Sequence, residues 1–401
     1  MMDKVFLDVL HQDPGRYPET RLNGLDAAGR EQLFQLAVEH RVVPLLHQRL
    51  APEHGREHLA PYVREVARNN LRFFAELDAY LGELEKAGIP VILLKGIWLA
   101  HEVYPGMGMR EMNDMDLMFH ADHLPEALRL AESLGYHADL PVRVDEQVRR
   151  SHHLAPLMKK GVAVLELHWN ITRPGRSYYI DPEPLWERAE SITVNGKPAM
   201  VLCPIDRLLH LCLHTSYQHL FSFGLRPFCD IAAVIRHDRE RLDWMTLVQR
   251  AKAYRWDKGV WMALSMAREL TGAEVPEDVL ESLQPKNGPD PAEIRQIAME
   301  QLFTEKQLAA SVPPTLAEAI RQNRIRDKIR TIWSQVFPSQ ERMAGLYPVR
   351  PGSPWMWYYY LDRFGRLMAT YALRTIRIYR GDKTLTGIVD RKNRLRDWMM
   401  E

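Results

Sequence analysis

At Gly88 the spacing of apolar residues changes, and the change limits the folds open to the chain. Upstream, in LDAAGREQLFQLAVEHRVVPLLHQRL and again in APYVREVARNNLRFFAELDAYLGELEKAG, apolar residues recur every three or four positions, as on amphipathic helices. Downstream, 89-IPVILLKG-96 is a continuous apolar run between two glycines, which suits a strand covered on both faces. A helical lead-in over 1–86 is therefore expected to hand over to a sheet at 87.

The next strand is expected at DMDLMF and a third at 162-VAVLELHW-169, with the amphipathic helix HLPEALRLAESLGY between them. ITVNGKPAMVL reads as a hairpin turning at Asn195-Gly196. These elements make 87–202 a small mixed sheet with helices. From 204 the segments PIDRLLHLCLHTSYQHL, RPFCDIAAVIRH, DWMTLVQRAKAYRW and KGVWMALSMARELTG read as successive helices, a second domain over 203–320. A tail over 321–401 has one basic helix, RQNRIRDKIRTIWSQVF, and an aromatic, arginine-rich helix from Trp355 to about 380. The class is α+β.

A chain of 401 residues is longer than one core usually organises. Its formal charge of +1 conceals an asymmetry, because 321–401 holds 17 Lys and Arg against 7 Asp and Glu, or +10, leaving −9 for the rest. Solvated arginines on a packed helical tail are favoured over a surface for nucleic acid, anionic lipid or an acidic partner. Cys203, Cys212 and Cys229 are odd in number and lack CxxC spacing, so no disulfide framework or zinc knuckle is expected and a cytoplasmic, reducing setting fits. No run of 18 uncharged apolar residues argues for a membrane span, and the amino-terminal segment lacks the pattern of a secretory leader.

Two acids interrupt the second strand. Residues two apart on a strand point the same way, so Asp114 and Asp116 share one face while Met115, Leu117 and Phe119 pack on the other. Two adjacent carboxylates repel each other and lose hydration, which a cation must offset. Mg²⁺ (or Mn²⁺), which takes oxygen ligands from one or two carboxylates together with substrate phosphates, is the economical answer. Glu166 lies in ELHW on the strand face that also carries Val164 and His168. If the two strands are neighbours, Glu166 completes a three-carboxylate cluster able to hold two metals roughly 3.5–4 Å apart, as in in-line phosphoryl displacement. Lys95 and Gly96 close the first strand where a helix begins, a place for a phosphate, and Arg110 could pair with a polyphosphate.

KG, then R-x-x-x-D-x-D on a strand, then Glu in ELHW, resembles the nucleotidyltransferase superfamily with a polymerase-β-like palm. More narrowly, the chain is similar to a bacterial group of uncharacterised nucleotidyltransferases in which LKG stands where Gly-Ser is usual. That likeness extends over about 25–240, through DRLLHLCLHTSYQHL and LRPFCDIAAVI. It implies metal binding by Asp114, Asp116 and Glu166, phosphate binding by Lys95 and Gly96, Arg110 beside the triphosphate of a nucleoside triphosphate, and an acceptor that the motifs do not name.

Other readings compete. D-x-D also serves glycosyltransferases that use sugar nucleotides, though these carry a longer doubly wound sheet. A palm that binds a nucleotide or a partner without turnover is a further alternative. His210 and His214 share a helix face, but HLCLH lacks the acid of H-E-x-x-H, so core positions are favoured over a metal site. His168, His214 and Asp230 are candidates for contacts around the metal or to the acceptor. His152 and His153, beside Arg149 and Arg150, read as a solvated loop.

Overall fold

The computed structural model describes residues 2–139, 142–161, 164–286 and 288–304, and beyond them Arg326, Trp333, 337–340, Met343, Tyr347, 349–379 and 383–400, with backbone only at 368–379 and 383–385. Contacts group the chain into two compact units. One comprises Met1–Asp139, Gln147–Gln218 and Phe223–Lys286, and the other Leu140–Glu146, His219–Ser222 and Asn287–Glu401.

The first unit is α+β and is built on a five-stranded mixed sheet in the order β3-β2-β1-β5-β4. Its strands are β1 (Ile92–Leu93), β2 (Asp114–Met118), β3 (Val164–His168), β4 (Glu190–Val194) and β5 (Lys197–Val201). β1 is central, antiparallel to β2 and parallel to β5, and its neighbours bury it on both faces as the apolar run requires. Only two of its residues form a ladder. Pro90 has no N–H to give and the chain turns away after Leu94, whose N–H still reaches the Asp116 carbonyl at 3.0 Å. β2 and β3 are parallel neighbours, with Asp116 opposite Glu166 and Asp114 opposite Val164. β4 and β5 form the expected hairpin, where Asn195 (φ 49°) and Gly196 (φ 81°) take the left-handed pair of a type I′ turn.

The helix Arg56–Ala87 covers the sheet with Phe73, Phe74, Leu77, Tyr80, Leu81 and Leu84, all buried at helical spacing. Each such burial contributes roughly 1.5–3 kcal/mol before the entropy of ordering is subtracted. Gly88 ends it at φ 68°, its N–H and that of Ile89 turning back to the carbonyls of Glu85 and Leu84. Lys197 on β5 reaches Asp78 at 2.6 Å and Lys159 reaches Glu76 at the same distance, which fixes this helix over the sheet.

Helices Pro204–Leu213, Arg226–His237, Trp244–Ala253 and Asp257–Thr271 follow. The segment expected as one helix through His219 instead changes pitch: the α-helix stops at Leu213 and His214–Gln218 is a π turn. Thr215 Oγ1 and Ser216 Oγ donate to the carbonyls of Leu211 and Cys212, four residues back, and this competition loosens the α ladder. The π turn sits against Gly259, where a Cβ would lie 2.3 Å from the Tyr217 ring, so only glycine lets the two segments approach. Buried ion pairs tie these helices to one another and to the segments beside them. Arg207 Nε bonds Asp238 at 2.6 Å and its guanidinium lies 4.5 Å from the Trp98 ring centre, while Asp206 takes both Arg188 and Arg250.

In the second unit, Pro291–Leu302 packs against Lys383–Met400, which buries Ile388, Val389, Leu395 and Trp398. Met356 and Tyr360, on the helix Met356–Tyr379, close a small core with Met343 and Val349. Trp357, Tyr358 and Leu361 on that helix are 60–70% exposed, so in this stretch the aromatic run is only partly packed. Most of the basic helix expected over RQNRIRDKIRTIWSQVF lies outside the described residues. Among the described residues no helix is long and apolar enough to cross a membrane.

Candidate active site

The alternation of β2 and the register of β2 on β3 put Asp116 and Glu166 side by side. Asp116 is 2% exposed, and each of its oxygens has a cationic partner: Oδ1 accepts from His168 Nε2 at 2.8 Å, and Oδ2 lies 3.2 Å from Lys95 Nζ. His168 Nε2 also lies 3.4 Å from Glu166 Oε2. Asp116, Glu166 and His168 each offer a ligand atom within 4.8 Å of the others, the one such group of three or more among the described residues. Asp114, half-buried at the start of β2, lies outside that group but feels the charges of Asp116, Lys95, Glu166 and Arg226.

The electrostatics follow from this crowding. Burial and the Asp116 charge hold the Asp114 carboxyl above the usual range. Burial pushes Asp116 the same way, but Lys95 and the bond from His168 outweigh it and hold Asp116 well below the usual range. Glu166 is lowered too, because the bond from His168 prevails over burial. His168 is raised: burial opposes its charge, and the bonds to Asp116 and Glu166 prevail. Asp116 and Glu166 are thus ionised at neutral pH, and their oxygens converge as a hard divalent cation requires. The residues present fit such a metal.

Lys95 adopts φ 39°, a left-handed conformation that costs a non-glycine residue of order 1–3 kcal/mol. It opens a helical turn, Lys95–Trp98, that continues as a π segment, Leu99–Val103. Beneath it Gly96 meets Arg110, and a Cβ there would lie 2.9 Å from Arg110 Nη1.

Arg110 is where structure and sequence reading diverge. The guanidinium expected beside a triphosphate is 7% exposed and forks onto Asp230, Nε to Oδ1 at 2.9 Å and Nη2 to Oδ2 at 2.8 Å, while Tyr104 donates to Oδ1 at 2.8 Å. Its charge is spent inside the protein. Asp230, a candidate for contacts around the metal or to the acceptor, is found as the partner of Arg110. His214 packs on Phe223, with ring centres 5.8 Å apart, and its charge acts on Asp116.

Three contributors escaped the sequence reading. Arg226 opens the helix Arg226–His237, donates from Nη1 to the Glu111 carbonyl at 3.0 Å, and has no partner for Nε among the described residues. Burial and the nearby Arg110 hold its pKa below the usual arginine value. An arginine in LRPFCD was the available signal. His152 and His153 are the others, and the solvated loop expected there is instead a half-buried segment bonded along β3, with Trp169 N–H donating to the His152 carbonyl at 3.0 Å. Their rings lie 5.5 and 5.1 Å from that of His168, and burial and the His168 charge lower both their pKa values.

A small mixed sheet with acids on adjoining strands, helices before and after it, and a strained lysine turn beside the acids is the architecture of a nucleotidyltransferase palm. The chain belongs to the family described as uncharacterised nucleotidyltransferase, whose model matches residues 26–272. It matches none of the curated proteins with which it was compared.

Proposed function

We propose that the protein is a Mg²⁺- or Mn²⁺-dependent nucleotidyltransferase that moves a nucleoside monophosphate from a nucleoside triphosphate to a hydroxyl, phosphate or amine acceptor. The observation that carries this is the pairing of Asp116 with Glu166 across adjacent parallel strands, with Asp114 two residues away on the same face.

Asp116 and Glu166, with Asp114 beside them, would hold the metal, which when bound supplies positive charge to the triphosphate and acidifies the attacking group. The acceptor oxygen or nitrogen forms a bond to the α-phosphorus as the bond to the bridging oxygen breaks, and pyrophosphate leaves with that electron pair. Glu166 is suited to take the acceptor proton, being ionised and 22% exposed in its side chain against 3% for Asp116. Gly96, having no side chain, lets the Lys95 turn close directly over the Arg110 guanidinium. Arg226 is a better candidate than Arg110 for the triphosphate, since among the described residues no carboxylate forks onto it and its Nε has no partner. Supporting a reducing, cytoplasmic setting, Cys203, Cys212 and Cys229 are all free thiols.

A screen of the four nucleoside triphosphates with Mg²⁺, read by pyrophosphate release and by the mass gained by candidate acceptors, tests the proposal. Nucleotide binding with no release for any hydroxyl, phosphate or amine acceptor would favour a binding protein on the same scaffold.

A further inference from the structure

Two-metal sites for phosphoryl transfer place their ions about 3.5–4 Å apart on shared carboxylates. Here one of the shared oxygens already has a cation. Lys95 Nζ lies 3.2 Å from Asp116 Oδ2, with its side chain only 14% exposed. An ion on that oxygen would sit about 2.0–2.1 Å from it, in space the ammonium occupies and against its charge.

The placement of Lys95 is costly, which argues that it is built in. A lysine at φ 39° is strained, and Gly96 and the Arg110–Asp230 fork support the turn from below. The other Asp116 oxygen takes His168. Glu166, its side chain 22% exposed, and the half-buried Asp114 are the more accessible acids beside Asp116.

Resting on the nucleotidyltransferase reading, we propose that Lys95 stands in for one of the two cations of such a site, so that the protein works with a single divalent ion. The lysine supplies a fixed positive charge next to the triphosphate, and the ion is held by Glu166, Asp114 and the remaining valence of Asp116. Lys95 is then a catalytic residue and not only part of a phosphate-binding turn.

Manganese counting tests this on the full chain. Protein is titrated with Mn²⁺ beside an equimolar α,β-methylene analogue of each nucleoside triphosphate in turn, and bound ion is read from electron paramagnetic resonance. The wild type should hold one ion per chain with an uncoupled six-line spectrum. Lys95→Met, which keeps the stem and removes the charge, should hold two, with the broadening of a coupled pair and the first ion bound at least tenfold more tightly. Lys95→Gly relieves the backbone strain and should also hold two, so a poorly folded methionine variant does not decide the matter. Two ions on the wild type would overturn the inference while leaving the transferase reading intact, and so would one ion on both variants. No bound ion on any of the three would remove the transferase reading itself.

Discussion

Replacing Asp230 with alanine strips Arg110 of its carboxylate partner. The wild-type carboxylate receives three hydrogen bonds, two from the guanidinium at 2.9 and 2.8 Å and one from Tyr104 at 2.8 Å. Arg110 is 7% exposed and cannot rehydrate without moving, so the variant buries an uncompensated charge. Breaking a buried pair in this way costs about 3–5 kcal/mol. At roughly 2 °C per kcal/mol for a unit of this size, the melting temperature should fall by about 6–10 °C. Urea denaturation followed by tryptophan fluorescence gives the energy, and scanning calorimetry gives the temperature. The double variant Arg110→Met/Asp230→Leu should recover most of the loss, since an apolar pair of similar volume removes the unpaired charge. A loss below 1 kcal/mol in the single variant, or no recovery in the double, would refute the reasoning that Arg110 is fully engaged with Asp230.

Other consequences follow from single contacts. Gly96→Ala places a methyl 2.9 Å from Nη1 of the Arg110 guanidinium, which Asp230 holds through Nε and Nη2, so it should cost about 1–3 kcal/mol in urea melts and weaken nucleotide binding together. Gly259→Ala drives a methyl to 2.3 Å from the Tyr217 ring and 2.6 Å from Ser216 Oγ, and should cost 3 kcal/mol or more by the same measurement. His210 is 3% exposed, and burial, with Lys95 adding to it, holds its pKa well below 6.5. Below pH 6.5 the unfolded chain therefore binds the proton that the folded one refuses, and stability falls with pH. At pH 5.5 the loss should be about 1.4 kcal/mol, absent in the pH dependence of His210→Gln as measured by urea melts of metal-free protein.

Much of the site could be read in the sequence because a strand's period of two fixes which side chains share a face. Asp114 with Asp116, and Glu166 with His168, were paired on faces by that rule alone, and the glycines at 88 and 96 marked where helix gives way to strand and strand to helix. That β2 and β3 are neighbours depends on tertiary pairing that no local period encodes. Arg110 and Asp230 are 120 residues apart, so the fork that engages Arg110 inside the protein was invisible to spacing. The left-handed backbone of Lys95 was equally hidden, and the π turn after Leu213, where Thr215 and Ser216 bond back to the preceding turn, reads in the sequence as continuous helix. His152 and His153 looked solvated beside two arginines. Their backbone pairing with the edge of β3 put them against His168 instead.

Calorimetric titration of the four nucleoside triphosphates into the full chain, with Mg²⁺ and again with excess chelator, bears most directly on the claim that these acids form a metal-dependent nucleotide site. At least one triphosphate should bind with Mg²⁺ and lose affinity roughly a hundredfold or more both in chelator and in Asp116→Asn. A protein that binds none of the four with Mg²⁺, or one whose binding is untouched by Asp116→Asn, would contradict it.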